Sequence, residues 1–268
     1  MRKIRSGVAR HGADLKRQFF PDVSYRTIRR ELQKMGLNGR RRRRTFFLRK
    51  IHIQKRQMFA LAYQNWSRRD WRKVVFSDES KFTLFGSDGV QYCRRGPNEE
   101  FLPQNVDPKV KYGGGKVNVW GCITPVGFGR LHRVEGNLNA KQYVKILEES
   151  YLGTLRDHGL AITDIVFQQD NDSKHTSKLA SQWFTDHGVT LLGWPPNSPD
   201  MNIIEHAWGE LEHRVHAKYP HLSNVNQLWE ALQSEWALLG EDYKNVLYDS
   251  MPRRVRALQA VRGRQTKY

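Results

Sequence analysis

Two short apolar segments, each followed at once by acidic side chains, most strongly constrain how this chain folds. Residues 73–80 (KVVFSDES) and 164–172 (DIVFQQDND) contain apolar runs of strand length. Because side chains of a strand alternate between two faces, Val74, Phe76 and Asp78 share one face. The pattern predicts two buried strands that lead into Asp78 and Asp170.

The segments around these two strands predict a mixed α/β sheet. Further strands or hairpins are predicted over 89–95, 117–124, 127–136 and 189–200, and helices over 139–155, 177–188 and 201–218. The helix over 201–218 is expected to be the last strongly periodic helix of the chain. A chain in which several strands come first and helices and strands then alternate is typical of such a sheet flanked by helices. A loop of about twenty residues near 96–116 has a length that is usually functional.

The charge of the chain is concentrated at its N-terminus. Residues 1–56 hold 19 lysines and arginines against three acidic residues, a net charge of +16, whereas the other 212 residues carry only +2. Such a basic arm suits a phosphate backbone, because each neutralised phosphate releases condensed counterions. A solvated tail or a simple nuclear-import signal is the alternative explanation of the charge.

The basic arm also contains a helix-turn-helix pattern. Pro21 and Asp22 separate a short first helix from a second, in which Ser24 is the predicted cap and Ile28, Leu32 and Met35 form an apolar stripe. The basic side chains lie outside this stripe, as in a helix that enters a major groove. Residues 1–14 supply a weak third helix, and a helix over 45–69 connects the arm to the body. The predicted DNA contacts are Arg26, Arg29, Arg30, Lys34, Arg40, Arg41, Arg42, Arg43 and Arg44.

Composition excludes several other classes of protein. The sequence has no run of about 18 apolar residues and no apolar core of a secretory signal, so we expect neither a membrane span nor secretion. Its two cysteines, Cys93 and Cys122, cannot form a disulfide framework or a cysteine-rich zinc module. Together with the arginine run, these features predict a protein of a reducing compartment, the nucleus.

A third acid, Glu205, begins the helix over 201–218 and completes a candidate metal site. Three carboxylates without thiolates favour Mg²⁺ or Mn²⁺ over zinc. Two such ions about 3.5–4 Å apart would activate an attacking oxygen and stabilise a leaving oxygen in phosphoryl transfer. A basic arm and an acidic cluster together predict a DNA-processing nuclease or strand-transferase. Each acid could instead be a turn former or helix cap, and Glu79, Asp172 and Asp200 are nearby alternatives.

Several segments resemble, in order, the landmarks of mariner-superfamily cut-and-paste DNA transposases. These segments are VVFSDESKF, KYGGGKVNVWGCI, QQDNDSKH, WPPNSPDMNIIEHAW and the C-terminal SMPRRVRALQAVRGRQTKY. The resemblance covers about residues 20–268. It implies a ribonuclease-H-like fold, with Asp78, Asp170 and Glu205 as an Asp-Asp-Glu triad. Thirty-four residues separate Asp170 from Glu205, a spacing typical of one branch of that superfamily.

The resemblance also implies a domain organisation and partners. We expect a partial helix-turn-helix region at 1–44, a linker helix at 45–71 and a catalytic domain at 72–268 with a clamp-like loop at 94–115. The chain is expected to begin inside the second of the family's two N-terminal subdomains. The expected partners are double-stranded DNA, at transposon ends and at the target, and a second copy of the chain in a DNA-bound homodimer.

Two departures from the family's motifs leave the triad whole. Ile203 stands where the family usually has a proline before the third acid, and Ser173 replaces a proline after Asp172. The predicted function is Mg²⁺-dependent cleavage of transposon ends and strand transfer. The alternatives are a domesticated copy that only binds DNA and a nuclease of the same fold that does not transpose. His175 and His206 flank the proposed ligands, and the sequence leaves their roles open.

Overall fold

The computed structural model describes residues 2–40, 45–84, 94–100, 102 and 114–268. The chain forms two compact units, Met1–Phe46 and Phe47–Tyr268. The helices are α1 (Arg2–Arg5), α2 (Gly12–Phe19), α3 (Tyr25–Lys34), α4 (Lys50–Ala62), α5 (Arg68–Trp71), α6 (Ala140–Ile146), α7 (Leu152–Asp157), α8 (Lys178–Asp186), α9 (Ile204–Lys218), α10 (Val225–Ala237) and α11 (Glu241–Ala260). The strands are β1 (Val74–Thr83), β2 (Lys116–Ile123), β3 (His132–Val134), β4 (Val166–Gln168) and β5 (Thr190–Leu191).

The N-terminal unit is a small helical module around α2 and α3. The Ser24 side chain caps α3 by accepting a hydrogen bond from the Thr27 backbone at 3.1 Å, as predicted. Ile28 of α3 packs with Leu15 of α2 in a small buried cluster. The prediction that Met35 belongs to this apolar stripe was wrong, because Met35 ends the helix and is 46% exposed.

The second unit is built on a five-stranded sheet of strand order β3-β2-β1-β4-β5. The β1–β2 and β2–β3 pairs are antiparallel, and the β1–β4 and β4–β5 pairs are parallel. This arrangement confirms the predicted mixed sheet. Because β1 lies at the centre, between an antiparallel and a parallel neighbour, its backbone is hydrogen-bonded on both sides.

Helices cover both faces of the sheet. On one face Phe76 packs in a cluster with Trp208 of α9 and Met251 of α11. On the other face Val75 packs in a cluster with Tyr143 of α6 and Phe184 of α8. Successive residues of β1 thus belong to opposite cores, as the alternation of strand side chains requires. In the described part of the chain, no helix is both long and apolar enough to cross a membrane.

Several predicted boundaries were wrong. The first strand does not stop at the acids but runs on to Thr83, because β2 pairs with it as far as Lys116. The helix predicted over 139–155 is confirmed, as α6 and α7 joined by a π-helical turn at Leu147–Tyr151. Of the strand predicted at 89–95, residues 89–93 lie outside the described residues and 94–95 are not in a strand. Of the loop predicted at 94–115, residues 101 and 103–113 also lie outside them.

The prediction that the helix over 201–218 is the last strongly periodic one was also wrong, because α10 and α11 follow it. Helix α11 is 20 residues long and contains Pro252, a residue that usually ends or kinks a helix. The buried side chains of Tyr248 and Val255 lie on either side of this proline. Their packing against the sheet stabilises the helix across the interruption.

Candidate active site

The carboxyl ends of two neighbouring parallel strands carry the first two predicted acids. Phe76 of β1 lies opposite Gln168 of β4, and Asp78 and Asp170 each follow that pair by two residues. Neighbouring strands lie about 4.7–4.9 Å apart, and alternate positions share a face. The sheet register therefore brings Asp78 and Asp170 side by side, although 91 residues separate them in the sequence.

Asp78 lies in a partly buried and electronegative position. Its Oδ1 accepts a hydrogen bond from the Glu79 backbone at 2.8 Å, and its Oδ2 accepts one from Asn202 Nδ2 at 3.0 Å. Burial raises the pKa of Asp78 well above its usual value, and the negative charges of Glu205, Glu79 and Asp170 raise it further. Asp78 is thus close enough to the other two acids of the predicted triad for their charges to raise its pKa.

Asn202 fixes the start of α9 against β1. Its side chain is buried, and Nδ2 also donates to the Ser77 carbonyl at 3.2 Å. Its Oδ1 accepts a hydrogen bond from the Ile204 backbone at 3.3 Å. The sequence predicts Asn202 only as one letter of a motif, but a short polar side chain before a helix is a recognisable capping signal. These bonds hold the first turn of the helix next to Asp78.

Glu205 lies in that first turn of α9, where the helix dipole favours a negative charge. The residue is exposed overall, yet partial burial of its carboxyl group raises its pKa. Its neighbour His206 has a pKa lowered by burial and by the charge of Arg254. The backbone carbonyl of His206 accepts a hydrogen bond from Tyr243 at 2.9 Å.

His175 bridges two carboxylates of the site. Its Nδ1 lies 2.6 Å from Asp170 Oδ1, and its Nε2 lies 2.9 Å from Glu79 Oε1. Burial alone lowers the pKa of His175, but hydrogen bonds to both carboxylates outweigh burial and raise this pKa to about 9. The ring is therefore protonated at neutral pH and donates both bonds. The ring of Tyr143 packs against it with centroids 4.2 Å apart.

The hydrogen bonds of Asp170 oppose the effect of its burial. Burial raises the pKa of Asp170, but bonds from His175 and from the Asp172 backbone, at 2.9 Å, produce a net lowering. Asp170 is therefore ionised at neutral pH and oriented by His175. This contact gives His175 a definite place in the site, where the sequence left its role open.

The donor set suits a hard divalent cation, although the side chains do not surround a common point. All three acids of the triad offer oxygen ligands, which Mg²⁺ and Mn²⁺ prefer. Within the described residues, no group of three or more His, Cys, Asp or Glu side chains is arranged to hold a metal ion. Asp170 faces His175, and Asp78 faces Asn202. The metal-binding role of the triad stays a prediction.

The three alternative acids each have a cationic partner. Glu79 contacts His175, Asp172 Oδ2 lies 2.8 Å from the Lys174 ammonium group, and Asp200 pairs with Arg56 at 2.6 Å. Asp172 and Asp200 are thus neutralised by permanent cations. In the part of the chain that the structure describes, Asp78 and Glu205 have no such partner, and this difference favours them as metal ligands.

The pairing of Arg56 with Asp200 belongs to a larger cluster that the sequence did not predict. The Arg56 side chain is 1% exposed, and its two terminal nitrogens reach both carboxylate oxygens of Asp200 at 2.7 and 2.6 Å. It also donates to Ser198 Oγ at 2.7 Å and to the carbonyls of Gly263 and Arg264 at 2.9 and 3.1 Å. One arginine of α4 thus joins the turn before α9 to the C-terminal segment.

The predicted DNA contacts lie on the N-terminal unit, apart from four arginines that are not described. Arg26, Arg29, Arg30, Lys34 and Arg40 are all exposed. Lys34 and Arg30 of α3 form ion pairs with Glu31 at 2.9 and 3.6 Å. Arg41, Arg42, Arg43 and Arg44 lie outside the described residues.

Both parts of the chain match families of known proteins. Residues 73–229 match the DDE superfamily endonuclease family, and residues 12–65 match a family described as transposase. The Tc1 transposase of Caenorhabditis elegans is 42% identical over 250 residues, which cover 92% of this chain and 89% of that protein. The Tc3 transposase of the same species is 31% identical over 267 residues, with 99% and 79% coverage.

The fold also matches solved structures. The Mos1 transposase paired-end complex with the left transposon end aligns with a TM-score of 0.82 and 15% identity, covering 98% of this chain and 77% of that chain. The isolated catalytic domain of Mos1 mariner transposase aligns with a TM-score of 0.65 and 14% identity, covering 84% and 100%. At such low identity this similarity concerns the fold, and it confirms the predicted ribonuclease-H-like sheet preceded by a helical region.

Proposed function

The chain belongs to the Tc1/mariner family of transposases, and we propose that its reaction takes place at Asp78, Asp170 and Glu205 with divalent metal ions. As a transposase it is a polynucleotidyl transferase that cleaves DNA and joins the cut end to new DNA. One observation carries the assignment of the site. Asp78 and Asp170 each follow paired residues of β1 and β4 by two positions, and the charges of Glu205 and Asp170 add to burial in raising the pKa of Asp78, which supports a shared site.

The chemistry of the site supports Mg²⁺, with Mn²⁺ as a substitute. Crystal structures of the Mos1 paired-end complex exist with Mg and with Mn. The carboxylates of Asp78, Asp170 and Glu205 would hold two such ions, and a cation would offset the mutual repulsion that raises the pKa of Asp78. When bound, the ions supply Lewis acidity for the attacking and leaving oxygens.

The reaction consists of two phosphoryl transfers at one site. In cleavage, a water oxygen bonds to the phosphorus at the transposon end as the bond to the 3′ oxygen breaks, and the freed 3′ oxygen takes a proton. In strand transfer, this 3′-OH attacks a target phosphodiester, loses its proton and displaces a target 3′ oxygen. Asn202 and His175 hold Asp78 and Asp170 in fixed orientations during both steps.

We further propose that the protein acts on double-stranded DNA as a homodimer in the nucleus. The exposed basic side chains of α3 suit a phosphate backbone, and the arginine run suits nuclear import. Bringing two ends together needs two copies. Ile51, Met58 and Leu61 of α4 are 48%, 68% and 47% exposed. Such an exposed apolar stripe is typical of a protein–protein contact.

The assignment of the triad is tested by removing one negative charge at a time. We expect Asp78→Asn or Asp170→Asn to lower Mg²⁺-dependent cleavage of end-containing DNA on the order of 10³-fold, because ligand loss removes several kcal/mol of transition-state stabilisation. DNA affinity in a gel-shift assay should be unchanged. The matched control is Asp164→Asn, at an exposed position before β4.

The products of the same assay separate the alternatives. Joined products identify a transposase, and cut products without joining identify a nuclease. DNA binding without either product in Mn²⁺ identifies a binding protein. Full cleavage by the purified Asp78→Asn variant would contradict the assignment of the site.

A further inference from the structure

A cationic groove lies beside the catalytic carboxylates, largely on the other face of the sheet. Its volume is about 440 Å³, and its walls come from β1, β2, the turn between β3 and α6, and the loop after β4. We call it the lysine groove, defined by Lys81, Lys116, Lys174, Glu79, Asn118 and Gly136. None of its lysines takes part in the chemistry described above.

The register of β1 and β2 places two of these lysines together. Lys81 lies opposite Asn118, and Thr83 lies opposite Lys116. Lys116 is therefore the diagonal neighbour of Lys81 on one face, at about 7–8 Å. Both residues are exposed, and within the described residues neither ammonium group forms a salt bridge. Two like charges held this close without an acid between them favour an anionic ligand.

Lys174 closes the groove on the side of the active site. Its ammonium group lies 2.8 Å from Asp172 and 3.7 Å from Glu79. Among the described residues that line the groove, Glu79 is the one acid, and its other oxygen contacts His175. Asp172 and Glu79 thus offset the charge of Lys174, and among the described residues that line the groove Lys81 and Lys116 supply its net positive charge.

The remaining wall of the groove is fixed by the backbone. The Asn118 side chain on β2 donates to the Gly136 carbonyl at 3.2 Å and holds the turn that precedes α6. Gly136 has a φ of +66°, in the left-handed region that favours glycine. The lysines therefore line a preformed channel between a strand pair and an anchored turn.

The position of the groove indicates what it holds. Lys81 follows Asp78 by three residues, about 10 Å along a strand, and one DNA strand carries a phosphate about every 3.4 Å of helix axis. Along the strand axis Lys81 is thus about three nucleotide steps from Asp78. Lys174, whose ammonium group lies 3.7 Å from Glu79, lines the part of the groove nearest the active site. Resting on the proposed function, we propose that the lysine groove binds the phosphate backbone of a DNA strand that runs past the catalytic carboxylates.

The strand could belong to the DNA that flanks the transposon end or to the target. Full-length Lys81→Gln/Lys116→Gln protein would be compared in two assays. One is cleavage of an end with its flank, and the other is joining of a pre-cut end to a plasmid. The charge-matched control is Lys73→Gln/Arg156→Gln, at two exposed positions away from the groove.

We expect the groove variant to lose roughly tenfold in at least one assay, since a charge-assisted hydrogen bond is worth about that factor. A loss in cleavage identifies flanking DNA, and a loss in joining alone identifies target DNA. Lys81→Arg/Lys116→Arg should restore most of the activity. The slope of log K against log salt should become shallower by about one for each lost lysine contact.

Activity and a salt slope equal to those of the control would overturn the proposal. Thermal melting of the groove variant and the control, followed by circular dichroism, shows whether a loss of activity comes from unfolding. If the groove variant is unfolded, the activity of Lys81→Arg/Lys116→Arg decides whether the positive charges are needed. If the unchanged protein neither cuts nor joins DNA, the proposed function fails. The salt slope then still reports whether the groove contacts DNA.

Discussion

At the scale of single residues, His175 places a buried cation between two carboxylates of the site. The protonated ring donates to Asp170 and Glu79 from its two nitrogens and so separates their charges. Its side chain is 3% exposed, so water screens these bonds little. We infer that the ring acts as an internal counterion of these two carboxylates.

This role predicts a pH dependence of stability in the metal-free protein. The pKa of His175 is raised from 6.5 to about 9 in the folded state. Its contribution to the free energy of unfolding is therefore fully present below pH 6.5, declines as the pH rises and is lost above about 9. We expect a contribution on the order of 3 kcal/mol at most. It would be measured by urea unfolding in EDTA between pH 6 and 9.5.

The comparison needs a variant without the bridge and a matched control. His175→Asn should be less stable than the unchanged protein at pH 6, and the difference should shrink toward pH 9.5. His213→Asn, at an exposed position of α9, controls for the loss of an imidazole ring. A constant difference between the two variants over this range would contradict the counterion role.

At the scale of elements, Arg56 joins helix α4 to the turn that leads into the active site. All of its bonds reach residues more than 140 positions away in the chain, from Asn197 to Arg264. The backbone carbonyl of Asp200 also accepts a hydrogen bond from Arg254 of α11 at 2.7 Å. The turn that carries Asn202 is thus held from two helices at once.

Loss of the Arg56 pair is therefore expected to weaken the whole catalytic unit. Arg56→Ala leaves Asp200 buried without its partner, a change that typically costs about 3–5 kcal/mol. Arg56→Lys keeps the positive charge but cannot form the bidentate pair with Asp200, so we expect a smaller loss of stability than in Arg56→Ala. Arg69→Lys, at an exposed position of α5, is the control. Denaturant unfolding measures the free energy of unfolding of each variant. An Arg56→Ala variant as stable as the control would contradict the prediction.

The same elements show which parts of the structure the sequence predicts. The strand of Asp78 and the capped helix of Ser24 follow from local patterns, because periodicity and capping act within a few residues. Helix α11 was missed because its packing overrides the local effect of Pro252. The pairing of Arg56 with Asp200 has no local signal, since it forms only when 144 positions of chain have folded.

The site itself divides in the same way. Asp78, Asp170 and Glu205 could be proposed from strand ends, a helix start and a family resemblance. The bond from Asn202 to Asp78 and the bridge through His175 could not, because each depends on the distance between side chains of separate elements. The family comparisons confirm the transposase assignment, and the roles of the individual acids remain predictions.

At the scale of the whole molecule, the two units differ in charge as strongly as in architecture. The N-terminal unit, residues 1–46, holds 15 lysines and arginines against three acidic residues, a net charge of +12, whereas the 222 residues of the catalytic unit carry +6. In its described part, the catalytic unit nevertheless places two lysines without a salt bridge, Lys81 and Lys116, in a groove beside its acids. A strongly basic unit that attracts DNA and a weakly charged unit with a cationic groove would divide affinity and positioning between them.

This division predicts where the salt dependence of DNA binding originates. Each phosphate contact contributes about 0.9 to the slope of log K against log salt. Arg26→Gln/Arg29→Gln/Arg30→Gln on α3 should therefore make the slope shallower by up to about 2.7 for end-containing DNA. The control removes the same charge from exposed positions of the catalytic unit, Arg69→Gln/Arg156→Gln/Arg253→Gln. Fluorescence anisotropy at several salt concentrations measures both slopes.

The two triple variants have the same net charge, so a general electrostatic effect would change their slopes equally. A larger change for the α3 variant would show that specific contacts of that helix release counterions. Equal slopes would mean that the basic unit acts only through its overall charge, and helix α3 would then not be the DNA-reading element. Loss of cleavage in the α3 variant at low salt, with the control active, would show that this contact also places the end at Asp78.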